Sequence, residues 1–473
     1  MNEAEEDQLS VETVLAVTKG VLMQGGAETS FTGVSTDSRS IKAGELFFAL
    51  RGEHFDGHRF LAEAIQRGGT GAVVDHEIEQ PSAQAIPLMR VADTLQALGD
   101  LAHHWRKQHP IPLVAVVGSN GKTTTKEMAA AILGKKYKVM KNAGNLNNLI
   151  GLPLSLLQMN STDGVAILEM GMNRFGEILR LTRIAEPDLG ILTNIGPAHV
   201  EGLGSIEGIT EAKGELLQGM GARGRLIFNA DDPRVVQLSK EFRGERQSFG
   251  ITNRADWMAT NIRILKDGRV SFQMQGPAGK IPVSLQLLGR HQVYNALAAA
   301  AASALLGAAI DDIKEGLEGF APPAMRMELV TLGKGIKVIN DAYNANPQSM
   351  EAALLALQEQ AGGRKIAVLG DMWELGAYAE KAHRELGRSV KEYGVDFLML
   401  LGRFAPLVAE GARKAGMDPQ KIRIGKDHHA VGLHLSGILK EGDWVLIKGS
   451  RIMHMEEIIK ELKDTLWKKS AKS

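Results

Sequence analysis

The sequence predicts a mixed α/β protein with three domains, and three observations lead to this prediction. The chain has 473 residues, which fits about three domains better than one ordinary hydrophobic core. From residue 113 onward, apolar β-branched runs alternate with helical stretches, as in parallel sheets covered by helices. The run Leu113–Val117 leads directly into Gly118-Ser-Asn-Gly-Lys-Thr-Thr124. The central domain is therefore expected to be a parallel sheet with a phosphate-binding loop (P-loop).

Prolines and glycines mark the predicted domain boundaries. Pro110 and Pro112 follow a predicted helix over residues 93–107, and the run 319–324 contains a Gly and two Pro residues. The predicted domains are residues 1–108, 109–320 and 321–473. The apolar stretch 296–310 is Ala-rich and shorter than the roughly 20 residues of a membrane span. It predicts a buried helix.

Short apolar runs predict the strands of each domain. In the first domain they are residues 45–50 and 72–75, and in the second residues 113–117, 165–170, 189–193 and 225–229. Residues 255–288 show alternating strand-like segments with a Gly-Pro turn, and a helix is expected from near His291. In the last domain the strand-like runs are residues 365–369, 397–401 and 444–448, which predict a second α/β unit.

The segment 118–124 carries the strongest chemical signal. Gly118 and Gly121 allow backbone N–H groups to face an anion, and the following helix presents its positive N-terminus. Lys122 can neutralise β- and γ-phosphate charge, and the Thr123 hydroxyl can bind Mg²⁺. Val116 stands where the general pattern has its first glycine, which indicates a subfamily. An ordinary βα turn with an incidental lysine is the competing interpretation.

Composition excludes several classes of function. Lys+Arg 55 against Asp+Glu 55 gives zero formal net charge, so no global field favours nucleic acid or anionic membranes. The chain has no cysteine, which excludes disulfides, thiolate metal sites and a cysteine nucleophile. The acidic residues 2–7 lack the pattern of a signal peptide. A cytoplasmic protein is expected.

Three further residues of the central domain are candidates for chemistry. Glu169 and His199 follow apolar strands, and either side chain could bind a metal, although a carboxylate in solvent and an incidental histidine are competing interpretations. Lys213 lies on a predicted helix. Spacing alone makes it an ordinary solvated lysine.

Several polar clusters could bind ligands. His291 and Asn295 are four residues apart, hence on one helical face, where they could contact a purine or simply cap and support the helix. Other clusters are denser than ordinary turns require, although a polar surface loop remains an alternative for the first of them. They are Ser35, Asp37, Ser38 and Arg39; Asn145, Asn147 and Asn148; and Asp341, Tyr343, Asn344 and Asn346.

Together these segments resemble the Mur ligases of bacterial cell-wall synthesis, over nearly the whole chain and in three-domain order. The matching motifs are residues 118–124, 168–171, 194–199, Ala212-Lys213, Gly289-Arg-His291 with Asn295, Met325-Arg326, and Asp341-Ala-Tyr-Asn-Ala-Asn-Pro347. The last motif is the most specific, because sibling ligases are similar around the ATP site but differ in that loop. The departure at Gln292, where several siblings carry Asn, is minor.

The resemblance implies a fold and a set of roles. The N-terminal α/β domain would bind the UDP substrate, the central P-loop ATPase-like domain would bind ATP, and a C-terminal Rossmann-like domain would receive the incoming dipeptide. ATP would be held by Gly118, Ser119, Asn120, Gly121, Lys122, Thr123, Thr124, His291, Asn295, Arg326 and Asp341. Lys122, His199 and Lys213 would be catalytic, with Lys213 carbamylated. Thr123 and Glu169 would bind one Mg²⁺, and His199 would bind a second.

The implied substrates are UDP-N-acetylmuramoyl-tripeptide and D-alanyl-D-alanine. Ser35, Asp37, Ser38 and Arg39 would hold UDP, Asn145, Asn147 and Asn148 would lie near the muramoyl peptide, and Tyr343, Asn344 and Asn346 would help to receive the dipeptide. The reaction would join the two through an acyl phosphate, giving the pentapeptide precursor, ADP and phosphate. A monomer that binds no nucleic acid is expected.

Two alternatives remain at this stage. One is another ATP-dependent amide ligase of the superfamily, such as the tripeptide-forming sibling or folylpolyglutamate synthase. The other is a P-loop protein that uses nucleotide as a switch and forms no bond. That second alternative leaves Glu169, His199 and the 341–347 loop without a shared role.

Overall fold

The structure of the chain, a computed structural model, describes residues 9–52, 55–78, 86–277 and 279–470. Its backbone contacts define two compact units. The first comprises residues 1–116, 136–190 and 215–224, and the second comprises residues 117–135, 191–214 and 225–473. The acidic residues 2–7, from which the absence of a signal peptide was predicted, lie outside the described residues.

The first part of the chain, in the first unit, contains a small α/β sheet. Its elements are β1 (Leu9–Ser10), α1 (Val11–Thr18), β2 (Val21–Gln24), β3 (Ser30–Phe31), β4 (Gly33–Ser35), β5 (Glu45–Phe48), α2 (Leu61–Gln66), β6 (Gly71–Val74), β7 (Leu88–Arg90) and α3 (Thr94–Gln108). The five-stranded sheet has the order β2-β7-β6-β5-β4. Strands β4 to β7 are mutually parallel, so the loop after Ser35 lies at their carboxyl edge.

The middle part of the chain alternates strands and helices. Its elements are β8 (Leu113–Val117), α4 (Lys122–Leu133), β9 (Val139–Lys141), α5 (Gly151–Leu156), β10 (Val165–Glu169), α6 (Glu177–Ala185), β11 (Leu189–Leu192), α7 (Val200–Leu203), α8 (Ile206–Met220), β12 (Arg225–Asn229), α9 (Pro233–Glu241), β13 (Glu245–Gly250), β14 (Trp257–Ile264), β15 (Arg269–Gly276), β16 (Gly279–Leu288), α10 (His291–Leu305) and α11 (Ile310–Glu318).

Most of the strands in this middle part are parallel. Within the first unit β10 pairs in parallel with both β8 and β9, and Glu169 lies opposite Val116. Within the second unit β12, β13 and β14 are parallel, whereas β15 and β16 complete an antiparallel meander. Strands β8 and β10 are buried at every position, as expected for strands covered by helices on both faces.

The last part of the chain, in the second unit, is a doubly wound α/β fold. Its elements are β17 (Glu328–Thr331), β18 (Lys337–Asp341), α12 (Pro347–Gln358), β19 (Lys365–Leu369), α13 (Ala379–Glu392), β20 (Phe397–Leu400), α14 (Ala405–Lys414), β21 (Ile422–Ile424), α15 (His428–Ile438), β22 (Trp444–Lys448) and α16 (Glu457–Ser470). The sheet order is β17-β18-β22-β19-β20-β21, parallel except for the edge strand β17.

The carboxyl ends of β18, β22 and β19 lie side by side at one edge of the sheet. Helices α12, α13 and α14 contribute to a core on one face of the sheet, and α15 and α16 contribute to a core on the other. In such sheets ligands bind outside the carboxyl ends of the strands, where the strand order reverses. The 341–347 loop begins at this edge.

The predicted α/β fold is confirmed, with one local correction. The predicted strands occur at their expected positions, and α10 begins at His291 as expected. The Ala-rich stretch 296–310 is not one helix, because α10 ends at Leu305 and α11 begins only at Ile310. Gly307, with φ +82°, turns the chain between them.

Candidate active site

The phosphate loop has the backbone geometry that anion binding requires. Gly121 adopts φ +81°, and a Cβ there would collide with Oδ1 of Asn295, while a Cβ on Gly118 would collide with Oγ1 of Thr193. Helix α4 starts at Lys122 without a side-chain cap. Helix N-termini of this kind bind anions through their backbone N–H groups.

A second segment holds the loop in shape. Oγ of Ser119 donates to the carbonyl of Gly196 at 2.9 Å and accepts its N–H at 2.9 Å. The N–H of Asn120 donates to Oδ1 of Asn194 at 2.9 Å. The Asn120 carbonyl accepts from Thr193 Oγ1 at 2.7 Å and from Asn194 Nδ2 at 3.0 Å. Hydrogen bonds from the predicted run 194–199 thus fix the conformation of the phosphate loop.

Lys122 and the two threonines after it occupy the start of α4. Nζ of Lys122 donates to the carbonyl of Gly118 at 3.0 Å, so the ammonium folds over the loop. Thr123 and Thr124 are buried. These positions are those of a P-loop lysine and its metal-binding hydroxyl.

His291 and Asn295 lie at the start of α10 and share a partner. Oδ1 of Asn295 accepts from Thr125 Oγ1 at 3.3 Å, and its Nδ2 donates to Oε1 of Gln292 at 2.9 Å. The Gln292 amide nitrogen lies 3.0 Å from Nε2 of His291. Gln292, a departure from the family pattern, therefore connects the two residues expected near adenine.

His291 lies in an electrostatic cluster with Asp341 and Lys448. The His291 side chain is partly exposed to solvent. Desolvation by the surrounding protein nevertheless lowers its pKa to about 4. Asp341 opposes this shift and Lys448 adds to it. Lys448 is buried, and its Nζ donates to Oδ2 of Asp341 at 2.5 Å and to the carbonyl of Asn344 at 2.9 Å. Lys448 was not identified from the sequence, because its only local signal is its position at the end of an apolar strand.

The loop after β18 is fixed by contacts with other parts of the unit. The Arg326 guanidinium lies 3.8 Å from the centre of the Tyr343 ring, a cation–π contact. Oδ1 of Asn346 caps α12 by accepting the Ser349 N–H at 2.9 Å. These contacts account for part of the polar density that the sequence shows here.

An exchange of amide hydrogen bonds connects this loop with the phosphate loop. Nδ2 of Asn346 donates to Oδ1 of Asn120 at 2.8 Å. Nδ2 of Asn120 donates to Oε1 of Gln348 at 2.8 Å. Both functional atoms of the Asn120 amide are thus engaged by the 346–348 segment. Gln348 was missed, because nothing in the local sequence distinguishes it from a helical glutamine.

Lys213 is not the solvated lysine that spacing alone predicts. The residue is only 2% exposed, on α8. Burial lowers its pKa well below the ordinary 10.5, and the positive charge of Lys122 lowers it further. The shift is toward the uncharged amine, which is the nucleophilic form.

His199 precedes α7 in a left-handed conformation, with φ +59°. Its Nδ1 lies 2.7 Å from Oε2 of Glu374. The His199 imidazole lowers the pKa of Glu374, and burial opposes this shift. Glu374 was not identified from the sequence.

In the first unit, Glu169 is buried and held by asparagines. Its Oε1 accepts from Nδ2 of Asn147 at 2.8 Å. Asn142 donates to the Glu169 carbonyl at 2.9 Å and accepts its N–H at 3.0 Å. Oδ1 of Asn148 accepts the N–H of Gly151, the first residue of α5, at 2.8 Å, and the Asn145 carbonyl accepts the Asn147 N–H at 2.7 Å. Glu169 is therefore an oriented carboxylate; Asn142 was missed in the sequence analysis.

The 35–39 loop lies at the carboxyl edge of the first sheet. Oγ of Ser35 accepts the N–H of Asp37 at 3.2 Å, and Ser38 donates to Glu63 at 3.0 Å. The Arg39 guanidinium contacts both oxygens of Asp37, at 2.9 and 2.7 Å, and lowers the pKa of Asp37 to about 2. Arg39 is solvent-exposed, so a bound anion can reach its planar face.

Among the described residues, one group has three potential metal-ligating side chains close together, namely His58, Asp75 and His76 of the first unit. His58 is already engaged, since its Nδ1 lies 2.7 Å from Asp56 and its Nε2 accepts the Asp75 N–H at 3.2 Å. None of these three residues is among the metal ligands that the sequence predicts. Of the predicted ligands, Glu169 belongs to the first unit, and Thr123 and His199 belong to the second.

This geometry defines a class: an α/β nucleotide-binding protein with a P-loop whose lysine neighbours a second, buried lysine. Three family models match successive segments. They are "Mur ligase family, catalytic domain" at residues 30–106, "Mur ligase middle domain" at 116–303 and "Mur ligase, glutamate ligase domain" at 325–451. The chain belongs to the Mur ligase family.

Two curated relatives align over almost their whole length. The UDP-N-acetylmuramoyl-tripeptide–D-alanyl-D-alanine ligase of Bacillus subtilis (strain 168) is 38% identical, over 96% of this chain and 98% of the relative. The protein of the same name from Escherichia coli (strain K12) is 36% identical, over 93% and 95%.

Solved structures give the same result. A crystal structure of MurF from Acinetobacter baumannii has a TM-score of 0.89 and 32% identity, covering 97% of this chain and 99% of that one. MurF ligase from Thermotoga maritima in complex with ADP has a TM-score of 0.83 and 27% identity, covering 92% and 98%.

Proposed function

We propose that this protein is an ATP-dependent ligase that joins D-alanyl-D-alanine to UDP-N-acetylmuramoyl-tripeptide. The observation that carries the proposal is the near full-length identity of 36–38% to relatives named for this reaction. The connection between the phosphate loop and the 341–347 loop supports it, because that loop distinguishes this ligase from its siblings.

The first step activates the carboxylate of the tripeptide. A carboxylate oxygen attacks the γ-phosphorus of ATP, and the bond between that phosphorus and the β,γ-bridging oxygen breaks. ADP leaves and an acyl phosphate forms. The backbone N–H groups of the loop and Lys122 neutralise charge on the transferring group, largely by position and electrostatics.

The second step forms the amide bond. The unprotonated amine of D-alanyl-D-alanine attacks the acyl carbon, and a tetrahedral intermediate forms. The bond from carbon to the phosphate oxygen then breaks, phosphate leaves, and the amine nitrogen loses its proton. Tyr343, Asn344 and Asn346 are proposed to receive the dipeptide at the carboxyl edge of the last sheet.

The chain also has donors that suit Mg²⁺. Thr123 offers a hydroxyl, Glu169 offers a buried carboxylate and His199 offers an imidazole. Oxygen donors are those that Mg²⁺ prefers. We assign Thr123 and Glu169 to one ion and His199 to a second. Bound Mg²⁺ would stabilise negative charge on the phosphoryl oxygens.

Lys213 is proposed to be carbamylated. The neutral amine that burial favours can add CO₂, forming an N–C bond and releasing one proton, which gives an anionic carbamate. An anion would suit a position beside cations better than an ammonium group would. Carbamylation also removes the electrostatic conflict with Lys122.

The remaining assignments follow the family. His291 and Asn295 are proposed to lie near adenine, Arg326 near the phosphates or ribose, and Asp341 on the ribose. Ser35, Asp37, Ser38 and Arg39 are proposed to hold UDP, supported by the exposed Arg39 guanidinium. Asn145, Asn147 and Asn148 are proposed to lie near the muramoyl peptide, supported by the contact of Asn147 with Glu169.

We also propose that the protein works as a cytoplasmic monomer. No helix in the described ranges is long and apolar enough to cross a membrane. The zero net charge supports small anionic substrates held by local sites instead of nucleic acid.

The test is mass analysis of the product formed from ATP, UDP-N-acetylmuramoyl-tripeptide and D-alanyl-D-alanine. An acceptor panel with D-alanyl-D-alanine, glutamate and diaminopimelate, read by ADP release, separates the sibling ligases. Turnover that requires D-alanyl-D-alanine supports the proposal. Dependence on another acceptor, or nucleotide hydrolysis that no acceptor stimulates, contradicts it.

A further inference from the structure

Glu374 lies on a loop that contacts the residue assigned to the second metal ion. The loop comprises residues 370–376 and follows β19, whereas His199 follows β11, 175 residues earlier in the sequence. The carboxylate Oε2 of Glu374 lies 2.7 Å from Nδ1 of His199. No other ion pair with His199 occurs among the described residues.

The loop that carries Glu374 is firmly anchored. The N–H of Met372 donates to Nε2 of the buried His383 at 3.0 Å, and the N–H of Trp373 donates to Oγ of Ser450 at 2.9 Å. Leu375, on the other side, is buried in the core of the last sheet. Glu374 itself adopts φ +64°, an uncommon conformation for a residue with a side chain. The position of its carboxylate is therefore fixed by its neighbours.

The same loop also contacts the backbone after His199. The N–H of Glu201 donates to the carbonyl of Glu374 at 3.2 Å. Gly376 approaches so closely that a Cβ there would lie 3.2 Å from Cα of Glu201. The side-chain contact and the backbone contact together fix the loop against the start of α7.

The chemistry of this contact is that of an oriented metal ligand. Histidines that bind metals commonly donate their second ring N–H to a carboxylate, which sets the tautomer and the ring orientation. Nδ1 of His199 faces the Glu374 carboxylate at 2.7 Å, so Nε2 is the ring nitrogen left for a cation.

We propose that Glu374 is a positioning residue that orients His199 for the second Mg²⁺. The metal site then depends on the contact between the 370–376 loop and the start of α7. The inference rests on the proposed function. The role of Glu374 goes beyond that function, because the family motifs of the site do not include this residue. The inference assigns a role to the loop after β19 in the phosphoryl-transfer half of the reaction.

The test compares Glu374→Ala with Glu374→Gln and a control, Glu380→Gln. Glu380 is an exposed residue of α13 that pairs only with the surface residue Arg384 among the described ion pairs. Glu374→Ala is expected to raise the Mg²⁺ concentration for half-maximal turnover about 10-fold or more, with kcat at saturating Mg²⁺ changed less. Glu374→Gln keeps an acceptor oxygen and is expected to lie between wild type and Glu374→Ala. The control should match wild type.

Metal binding supplies a readout that does not need turnover. Mn²⁺ is titrated into the protein with ADP, and free Mn²⁺ is measured by electron paramagnetic resonance. Weaker binding in Glu374→Ala, and no further weakening when Glu374→Ala is added to His199→Ala, would show that Glu374 acts through His199.

Two results would overturn the inference. One is unchanged Mn²⁺ binding and Mg²⁺ dependence in Glu374→Ala. The other is an equal loss in the presence and absence of His199, as a folding defect would give. Wild-type protein without dipeptide-dependent turnover would instead contradict the proposed function, and the Mn²⁺ titration would still decide the role of Glu374.

Discussion

The phosphate loop and the loop after β18 differ in what defines them. At the phosphate loop the backbone sets the geometry, through Gly121 at φ +81° and the uncapped start of α4. In the loop after β18, side chains set it: Asp341 contacts Lys448, 107 residues away, and Asn346 contacts Asn120, 226 residues away. The spacing of residues in a short motif encodes the local backbone conformation. It does not reveal contact partners that lie a hundred or more residues away in the sequence.

The largest effect is expected at the backbone-defined loop, from Lys122→Ala. Removing the ammonium should lower ATP-dependent turnover about 10³-fold, because the charge on the transferring group loses its main side-chain counterion. The measurement is ADP release, with circular dichroism to check the fold. Lys381→Ala, at an exposed lysine of α13, is the control. A near-normal rate in Lys122→Ala would remove the assignment of the loop.

Gly121→Ala tests whether backbone geometry defines this loop. The substitution places a Cβ against Asn295 and forces a positive φ on alanine, so kcat/KM for ATP should fall about 100-fold. Gly176→Ala is the matched control, since Gly176 has φ +85° but no atom within 4 Å of its Cβ position. Equal effects of the two substitutions would mean that strain alone, and not the shape of the loop, matters.

The pH dependence of stability tests the cluster around His291. An unfolded histidine titrates near 6.5, whereas His291 titrates near 4 in the folded chain. As the pH falls below 6.5 the unfolded state binds the proton first, so stability is lost, by about 2 kcal/mol at pH 5. In urea unfolding, the loss of unfolding free energy between pH 7 and pH 5 should be about 2 kcal/mol smaller in His291→Gln than in wild type. If the unfolding free energy of wild type and His291→Gln had the same pH dependence, the lowered pKa of the His291 imidazole would be contradicted.

The smallest effect is expected where the two loops meet. A double-mutant cycle of Asn120→Ala and Gln348→Ala should give a coupling energy of about 1 kcal/mol in kcat/KM, because the two amides share a hydrogen bond. Gln358 is an exposed glutamine at the end of the same helix. Asn120→Ala and Gln358→Ala should therefore be additive. Additivity in the first pair as well would mean that the loops act independently.

Much of the fold follows from local sequence signals. The apolar run of β8, the glycines after it and the cap formed by Asn346 before Pro347 each specify a structure within a few residues. The boundary between α10 and α11 was missed, because the apolar stretch continues across Gly307. The domain boundaries at 108 and 320 stay predictions.

The site was less predictable where burial creates the chemistry. Lys213 has the local sequence of a solvated helical lysine, and only tertiary packing buries it and lowers its pKa. Lys448 and Glu374 carry no motif of their own, and their partners, Asp341 and His199, are distant from them in sequence. The family resemblance supplied the role of Lys213, but it did not indicate the partners of Asp341 and His199.

The position of β22 has a consequence for the order in which the sheet can form. β22 follows β18, β19, β20 and β21 in the sequence, but in the sheet it lies between β18 and β19. Neither of these two strands can therefore complete its pairing until residues 444–448 have been synthesised. Deleting β22 would remove a central strand and Lys448 together.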